Sequence, residues 1–172
     1  MSWWKTALYD TCSLLALDNL FQLRPSFSRY FPKRLLALSE SFSAAQMRKD
    51  TAERIMVRAT LCSLPPTNEL LKLLSSADLP KPFSDVDKLV FATAVHSDFA
   101  VVTEDKRLAT SVQERGLEVG SVVLILQELV ETEKLKSTVV LKVLQGLADQ
   151  KHFLLRTPNP TMDDLTGYSF PN

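Results

Sequence analysis

The feature that most constrains the fold is an alternation of short apolar runs with segments of helical spacing. Residues 6–9 and 99–103 fit buried strands, and each run leads into a predicted helix. A further short strand is predicted at residues 117–119, after Gly116, which is suited to the left-handed end of a helix. Alternation of this kind favours a mostly parallel sheet with helices on both faces. We therefore expect an α/β fold, a three-layer α/β/α sandwich.

Apolar stripes and prolines predict the remaining helices. Residues 35–38 lead into a long helix over about 41–61, which the pair Pro65-Pro66 ends. A shorter helix is predicted over residues 68–77, and Ser84 begins another whose apolar positions follow helical spacing. Ser121 is expected to cap a helix that continues to Val130.

The length and the 45% hydrophobic content are sufficient for a single domain with a substantial core. We expect the main domain over residues 1–130 and an added helical segment over 131–155 packed on it. Residues 156–172 are polar and contain prolines, which predicts an extended or poorly ordered tail that is dispensable for folding.

Composition narrows the class of function. Twenty basic and twenty acidic residues balance, so contact with nucleic acid must come from local patches. Cys12 and Cys62 match no metal-binding spacing, and the first residues do not resemble a signal segment, which favours a reducing cytoplasm. No apolar run approaches the roughly 20 residues that span a bilayer. With only four glycines, the chain has no glycine-rich nucleotide loop.

Four acidic residues lie where predicted elements begin or turn. Asp10 and Asp105 follow the two apolar strands, Asp87 lies at the head of a helix, and Glu40 lies in a helical stretch. Ligands of open α/β sheets bind at the carboxyl ends of strands, so these acids can converge on one cleft. Converging carboxylates repel each other, and a bound cation relieves the repulsion. All-oxygen sites suit Mg²⁺ or Mn²⁺.

Each acid taken alone also fits a purely structural role. Asp10 and Asp105 are good helix caps, and Ser84 with Asp87 fits a capping box. Glu40 alone fits a solvated helix face. The order of all four along one α/β chain is what favours a site.

Three segments carry a resemblance to a known family. They are Leu8-Tyr-Asp-Thr-Cys-Ser-Leu-Leu15, Asp87-Lys-Leu-Val-Phe-Ala-Thr-Ala94 and Val101-Val-Thr-Glu-Asp-Lys-Arg-Leu108. Together with the sequence Gly116-Leu-Glu-Val119, they resemble the PIN-domain nucleases. They look most like the VapC-like toxin ribonucleases of toxin–antitoxin pairs. The resemblance covers residues 6–130.

The resemblance implies a PIN-like fold and metal-dependent endonucleolytic cleavage of RNA by a toxin, with an antitoxin protein and a second copy of the chain as partners. The implied metal-binding and catalytic residues are Asp10, Glu40, Asp87 and Asp105. Auxiliary polar residues would be Thr103 and Thr11. Bound Mg²⁺ or Mn²⁺ would orient a water and lower its pKa. The chain departs from the pattern at Cys12, where the family often has Asn or Ser.

Five basic residues are candidates for gripping the RNA backbone, although each also fits a solvated surface. They are Lys33, Arg34, Arg48, Lys106 and Arg107. Phe21, Ile55 and Met56 are expected to contribute to a dimer or antitoxin groove.

Alternative functions remain open at this point. Cys12 and the long tail are compatible with a catalytically inactive PIN-like scaffold that binds protein or RNA. A phospho-acceptor receiver domain would require an early acidic pair and a late lysine that the chain lacks. Nucleophilic catalysis by Cys12, with His96 or His152 as base, matches no motif.

Overall fold

The structure is a computed structural model and describes residues 2–43, 46–77, 79, 83–152, 154–155 and 157–171. The strands in this part of the chain are β1 Leu8–Tyr9, β2 Leu35–Ala37, β3 Ala59–Leu61, β4 Val101–Val102 and β5 Val119–Gly120. The α-helices are α1 Thr11–Leu23, α2 Lys49–Met56, α3 Thr67–Ser76, α4 Asp85–Ser97, α5 Lys106–Gln113, α6 Val122–Glu131, α7 Ser137–Asp149 and α8 Met162–Thr166. Short 3₁₀ helices cover Trp3–Lys5, Pro25–Tyr30 and Ser39–Phe42.

The sheet is parallel throughout, with the strand order β3-β2-β1-β4-β5. From β1 the chain moves outward to β2 and β3, and then crosses to β4 and β5 on the other side. The direction of winding therefore changes between the neighbours β1 and β4, where open α/β sheets form a crevice at the strand carboxyl ends. Tyr9 lies in register with Val102, so the residues that follow them, Asp10 and Thr103, are neighbours at the carboxyl edge of the sheet.

Side chains of the two central strands alternate between two hydrophobic cores, as the period of a strand requires. Leu8 and Val101 belong to the core that α4 and α5 cover. Tyr9 and Val102 belong to the core on the opposite face, which α1, α6 and α7 cover. This arrangement confirms the predicted three-layer α/β/α sandwich.

The prediction of one long helix over about residues 41–61 is wrong. Residues 44 and 45 of this segment lie outside the residues that the structure describes. The segment instead forms one 3₁₀ turn, the short helix α2 and the edge strand β3. The Leu35 N–H donates to the Arg58 carbonyl at 2.7 Å, and the Cys62 N–H donates to the Ala37 carbonyl at 2.9 Å. Pairing with β2 outweighs the modest helix preference of a segment that contains the β-branched Thr60.

The chain after residue 156 also differs from the prediction of an extended or poorly ordered tail. Thr161 caps α8 through a capping box with Asp164, and Leu165 of α8 is fully buried. The helix packs against α6 and α7, and the Gln127 side chain of α6 donates to the Thr166 carbonyl at 3.1 Å. The few apolar residues of this segment are therefore sufficient to fix it on the domain.

The predicted helix boundaries are otherwise confirmed in several places. Ser84 caps α4 with the capping box expected of Asp87, and Ser121 caps α6. Gly116 has a φ of +79°, the left-handed conformation predicted for it. Among the described residues, no helix combines the length and the apolar character needed to cross a bilayer.

Candidate active site at the carboxyl edge of the sheet

Asp10 is the first residue after β1 and is almost completely buried, at 2% exposure. One carboxylate oxygen accepts the Ser13 N–H at 2.7 Å and so caps α1, while the other accepts the Thr103 hydroxyl. The pKa of Asp10 is raised to about 6, chiefly by burial. The charge of Asp87 contributes to this rise, and the hydrogen bonds from Thr103 and Ser13 oppose it. Asp10 is therefore a helix cap and also a strained buried acid.

Thr103 connects the first and last of the predicted acids. Its hydroxyl donates to Asp10 and accepts the Asp105 N–H at 3.0 Å. Its own N–H donates to the Gly120 carbonyl at 2.9 Å, which fixes the end of β4 against β5. Because the residue is fully buried, its rotamer is held by these contacts and it positions both acids.

Asp105 caps α5 and also forms an ion pair with Arg107 in the first turn of that helix. One carboxylate oxygen accepts the Arg107 N–H at 2.7 Å, and the other lies 3.1 Å from the Arg107 guanidinium. Partial burial would raise the pKa of Asp105, but the hydrogen bonds and charge of Arg107 outweigh burial and lower it. Asp105 is therefore ionised and neutralised locally.

Asp87 uses its carboxylate in the capping box of α4. One oxygen accepts both the Ser84 N–H at 3.0 Å and the Ser84 hydroxyl at 2.7 Å. The charge of Asp87 nevertheless acts on the carboxyl of Asp10 and on the guanidinium of Arg107. The first turn of α4 thus faces the crevice from the opposite side of the sheet to α1.

Glu40 occupies a different place from the other three acids. It lies in the 3₁₀ turn after β2, where its carboxylate accepts the Ser39 hydroxyl at 2.8 Å. Its charge raises the pKa of Cys62, after the larger effect of desolvation. The structure therefore leaves Glu40 at the end of the neighbouring strand, in a 3₁₀ turn rather than in the predicted long helix.

The thiol of Cys12 lies near several acidic side chains of this edge. Cys12 is exposed at the mouth of a pocket, yet desolvation of its sulfur raises its pKa to about 12, together with four carboxylate charges. Those charges belong to Asp10, Asp87, Asp105 and Glu104. A thiol held neutral at pH 7 is a poor nucleophile, which disfavours cysteine catalysis.

Glu104 is a further acid at this edge, and it is not among the site residues predicted from the sequence. Its carboxylate accepts the Val122 N–H at 2.7 Å, at the beginning of α6. The sequence contains one indication of its role, since Glu104 and Asp105 are consecutive acids that follow a buried strand. In a turn after a strand, two such residues can face one edge of the sheet together.

The five basic candidates lie in different environments. Lys106 lines a pocket beside Glu104, and Arg107 pairs with Asp105. Arg34 donates to the Ala59 carbonyl of the edge strand at 3.1 Å. Arg48 pairs with Asp50 on an exposed surface, and Lys33 is exposed. Only Lys106 and Arg107 adjoin the acidic edge through these contacts.

The donor chemistry of this edge fits a hard divalent cation, since Mg²⁺ and Mn²⁺ prefer carboxylate oxygens. Within the described ranges, no three His, Cys, Asp or Glu side chains are grouped so that they could hold a metal ion as they stand. Protein donors occupy the carboxylates instead, namely Ser84 at Asp87 and Arg107 at Asp105. The buried Thr11 hydroxyl, next to Asp10, has no hydrogen-bond partner and leaves one polar position open.

Comparison with protein-family models gives no match, and comparison with curated proteins gives none either. Among solved structures, the fold is similar to the crystal structure of PAE2754 from Pyrobaculum aerophilum. The TM-score is 0.50 at 17% sequence identity, and the similarity covers 70% of this chain and 93% of the other. At this identity the comparison supports the α/β/α fold alone.

Proposed function

We propose that this protein is an Mg²⁺- or Mn²⁺-dependent ribonuclease that hydrolyses phosphodiester bonds within RNA chains. One observation carries the proposal: the Thr103 hydroxyl joins Asp10 and Asp105 at the crevice where the sheet changes direction, and the charge of Asp87 acts on the buried Asp10. That crevice is where open α/β sheets bind ligands, and clustered carboxylates without a cation destabilise each other.

Each residue has a defined part in this proposal. Asp10 and Asp87 are the pair whose charges oppose each other, and they would hold the cation with Asp105 or Glu104. Thr103 fixes the orientation of the Asp10 carboxylate. A bound divalent ion lowers the pKa of an attacking water and stabilises charge on the phosphate. Glu40, which lies at the next strand, would act as an outer member of the site.

The test is cleavage of a labelled RNA with Mn²⁺, with Mg²⁺ and with chelator. Asp10→Asn is expected to abolish cleavage while the protein remains folded, since Asn caps helices about as well as Asp. The matched control is Asp18→Asn, which removes a carboxylate from the same helix where it pairs with Arg54 at 2.9 Å. Activity that survives chelation, or that persists in Asp10→Asn, would contradict the proposal.

A second candidate function is a catalytically inactive PIN-like scaffold that binds protein or RNA. The specific observation in its favour is that two of the acids are already satisfied by protein donors, Asp87 by Ser84 and Asp105 by Arg107. Titration calorimetry with Mn²⁺ separates the two candidates. If the protein is an inactive scaffold, the wild type should show no Mn²⁺ binding that is lost in Asp10→Asn.

We further propose that the protein is a toxin of a toxin–antitoxin pair, and that its partner surface is an apolar groove of about 300 Å³ between α1 and α2. Phe21 and Val57 line this groove, Met56 beside it is 45% exposed, and Ile55 forms its buried floor. A second copy of the chain or an antitoxin helix would cover it. Light scattering across a dilution series, alone and with any co-encoded protein, tests this. A monomer at every concentration that binds no such protein would exclude it.

The two free thiols, Cys12 and Cys62, are compatible with the reducing cytoplasm that we propose as the compartment.

A further inference from the structure

Two pockets lie side by side where the C-terminal segment meets the acidic edge. The inner pocket, of about 270 Å³, is lined by Cys12 and by His152 and Leu154 of the chain beyond α7. The outer pocket, of about 300 Å³, is lined by Lys106 and by residues 168–170 beyond α8. The two share Glu104 and Leu154, so they form one continuous depression.

The inner pocket begins at the candidate active site. Its Cys12 is the residue on which the four carboxylate charges act, and its Glu104 is one of those carboxylates. The walls are apolar, from Leu15 and Leu147, and the polar side chains Asn19 and His152 lie among them. Apolar walls with a few polar groups are the usual composition of a small-molecule site, and a nucleobase is a group of this size.

The outer pocket has an aromatic surface and a cation. The rings of Tyr168 and Phe170 are stacked, with centroids 6.4 Å apart and an interplanar angle of 10°. Both residues are half-buried, so part of each ring faces the pocket. Lys106, in the first turn of α5, adds a positive charge to the lining of this pocket. Aromatic rings beside a cation are the elements with which proteins bind single-stranded nucleic acid.

We propose, on the basis of the ribonuclease function above, that these two pockets bind two consecutive unpaired nucleotides of a single-stranded RNA. The inner pocket takes a base next to the cleaved phosphate, with Asn19 and His152 at its polar edges. The outer pocket stacks the neighbouring base on Phe170, and Lys106 pairs with the backbone. Bases in a duplex are stacked on each other and cannot enter such pockets, so the substrate is single-stranded.

The experiment measures binding of short fluorescent single-stranded RNA oligonucleotides, covering the four bases, by anisotropy. The protein carries Asp10→Asn, so that RNA is bound without being cut. Adding Phe170→Leu keeps an apolar side chain but removes the ring, and should weaken binding roughly tenfold. The matched control is Phe99→Leu, which removes another half-buried ring just before β4, at the amino end of that strand, and should leave binding unchanged.

The charge is tested through the salt dependence of the same binding. Lys106→Gln should reduce the slope of log affinity against log salt by about 0.7, the value for one phosphate contact on a single strand. The control is Lys49→Gln on α2, whose side chain is 91% exposed, and it should leave the slope as it is. If Phe170→Leu lowers the melting temperature, its weaker binding could come from a loss of structure. The salt dependence of Lys106→Gln then decides whether the pocket binds RNA.

The possible results separate this inference from the proposed function. Binding that is unchanged in both pocket variants, or a duplex bound as tightly as the single strand, would overturn the inference while cleavage by the wild type stands. Binding that depends on Phe170 and Lys106 supports the pockets even where the wild type cuts no RNA under any metal condition. In that case the ribonuclease proposal fails and the pockets remain. Where cleavage is observed, Phe170→Leu should raise KM and leave kcat unchanged.

Discussion

Replacing Asp10 by Asn should make the folded protein more stable at neutral pH, although it removes the central acid of the site. Asp10 is 2% exposed, and its charge is opposed by burial and by the charge of Asp87. Asn is nearly isosteric, and its side-chain oxygen can still accept the Ser13 N–H that caps α1. The substitution therefore removes a buried charge and keeps the cap.

The pKa of Asp10 provides the magnitude. It rises from 3.8 to about 6 on folding. At about 1.4 kcal/mol per pKa unit, holding Asp10 ionised at pH 7 costs the folded state about 3 kcal/mol. Asn forms a weaker hydrogen bond with the Thr103 hydroxyl than the carboxylate does, and this loss offsets about 1 kcal/mol of the gain in stability. The net gain of about 2 kcal/mol corresponds to a rise in melting temperature of about 4–8 °C for a domain of this size.

The sign of the pH dependence follows from the same shift. Because the folded pKa is raised, the folded wild type binds more protons than the unfolded chain between pH 3.8 and about 6. Wild-type stability should therefore rise, relative to Asp10→Asn, as the pH falls from 7 to 4. The advantage of the variant should disappear over this range and then reverse.

Thermal melts of both proteins in chelator at pH 7 and pH 4 check this expectation. Mg²⁺ should stabilise the wild type and have little effect on Asp10→Asn. The control Asp18→Asn breaks the ion pair with Arg54 and should lower stability at pH 7. A variant that is less stable than the wild type at pH 7, or a difference in stability independent of pH, would refute the reasoning.

Three other substitutions probe the surrounding structure. Thr103→Val should lower the free energy of unfolding by about 1.5–3 kcal/mol because it removes a hydrogen bond to a buried carboxylate. Thr103→Ser keeps the hydroxyl and should retain most of this stability in thermal melts. Leu165→Ala should cost about 2–5 kcal/mol, since the side chain is fully buried, whereas Met162→Ala on the same helix should be nearly neutral. Arg107→Gln should raise the pKa of Asp105 toward its ordinary value and strengthen Mn²⁺ binding a few-fold, measured by NMR titration and calorimetry. Unchanged Mn²⁺ affinity in Arg107→Gln would argue against competition for that carboxylate.

The central part of the fold could be predicted from sequence because its information is local. Two apolar runs, each followed by a helix cap, specify β1 and β4 and the parallel arrangement between them. The edge strand β3 could not be predicted, because residues 59–61 gain their strand conformation only by pairing with β2. Helix α8 was missed for a related reason. Its burial rests on the single side chain of Leu165, which meets α6 and α7 only in the folded domain.

The candidate site could be predicted as a set of residues but not as a set of contacts. The order of Asp10, Asp87 and Asp105 along the chain indicated one edge of the sheet, where Asp10 and Asp105 share the Thr103 hydroxyl. The position of Glu40 depended on a helix that does not form. The role of Arg107 as the partner of Asp105 also required the geometry of the first turn of α5.

For Asp10, Asp87 and Asp105, helix capping and ligand binding are compatible roles, although each acid taken alone in the sequence suggests only one of them. A carboxylate that caps a helix is held in one orientation, and the helix N-terminus stabilises its negative charge. Asp10 caps α1 through one oxygen, and its second oxygen accepts the Thr103 hydroxyl. Asp105 and Asp87 are fixed by α5 and α4 in the same way. Helix capping thus orients three acids whose like charges repel each other, and under the proposed function a cation would bind them at little further loss of side-chain entropy.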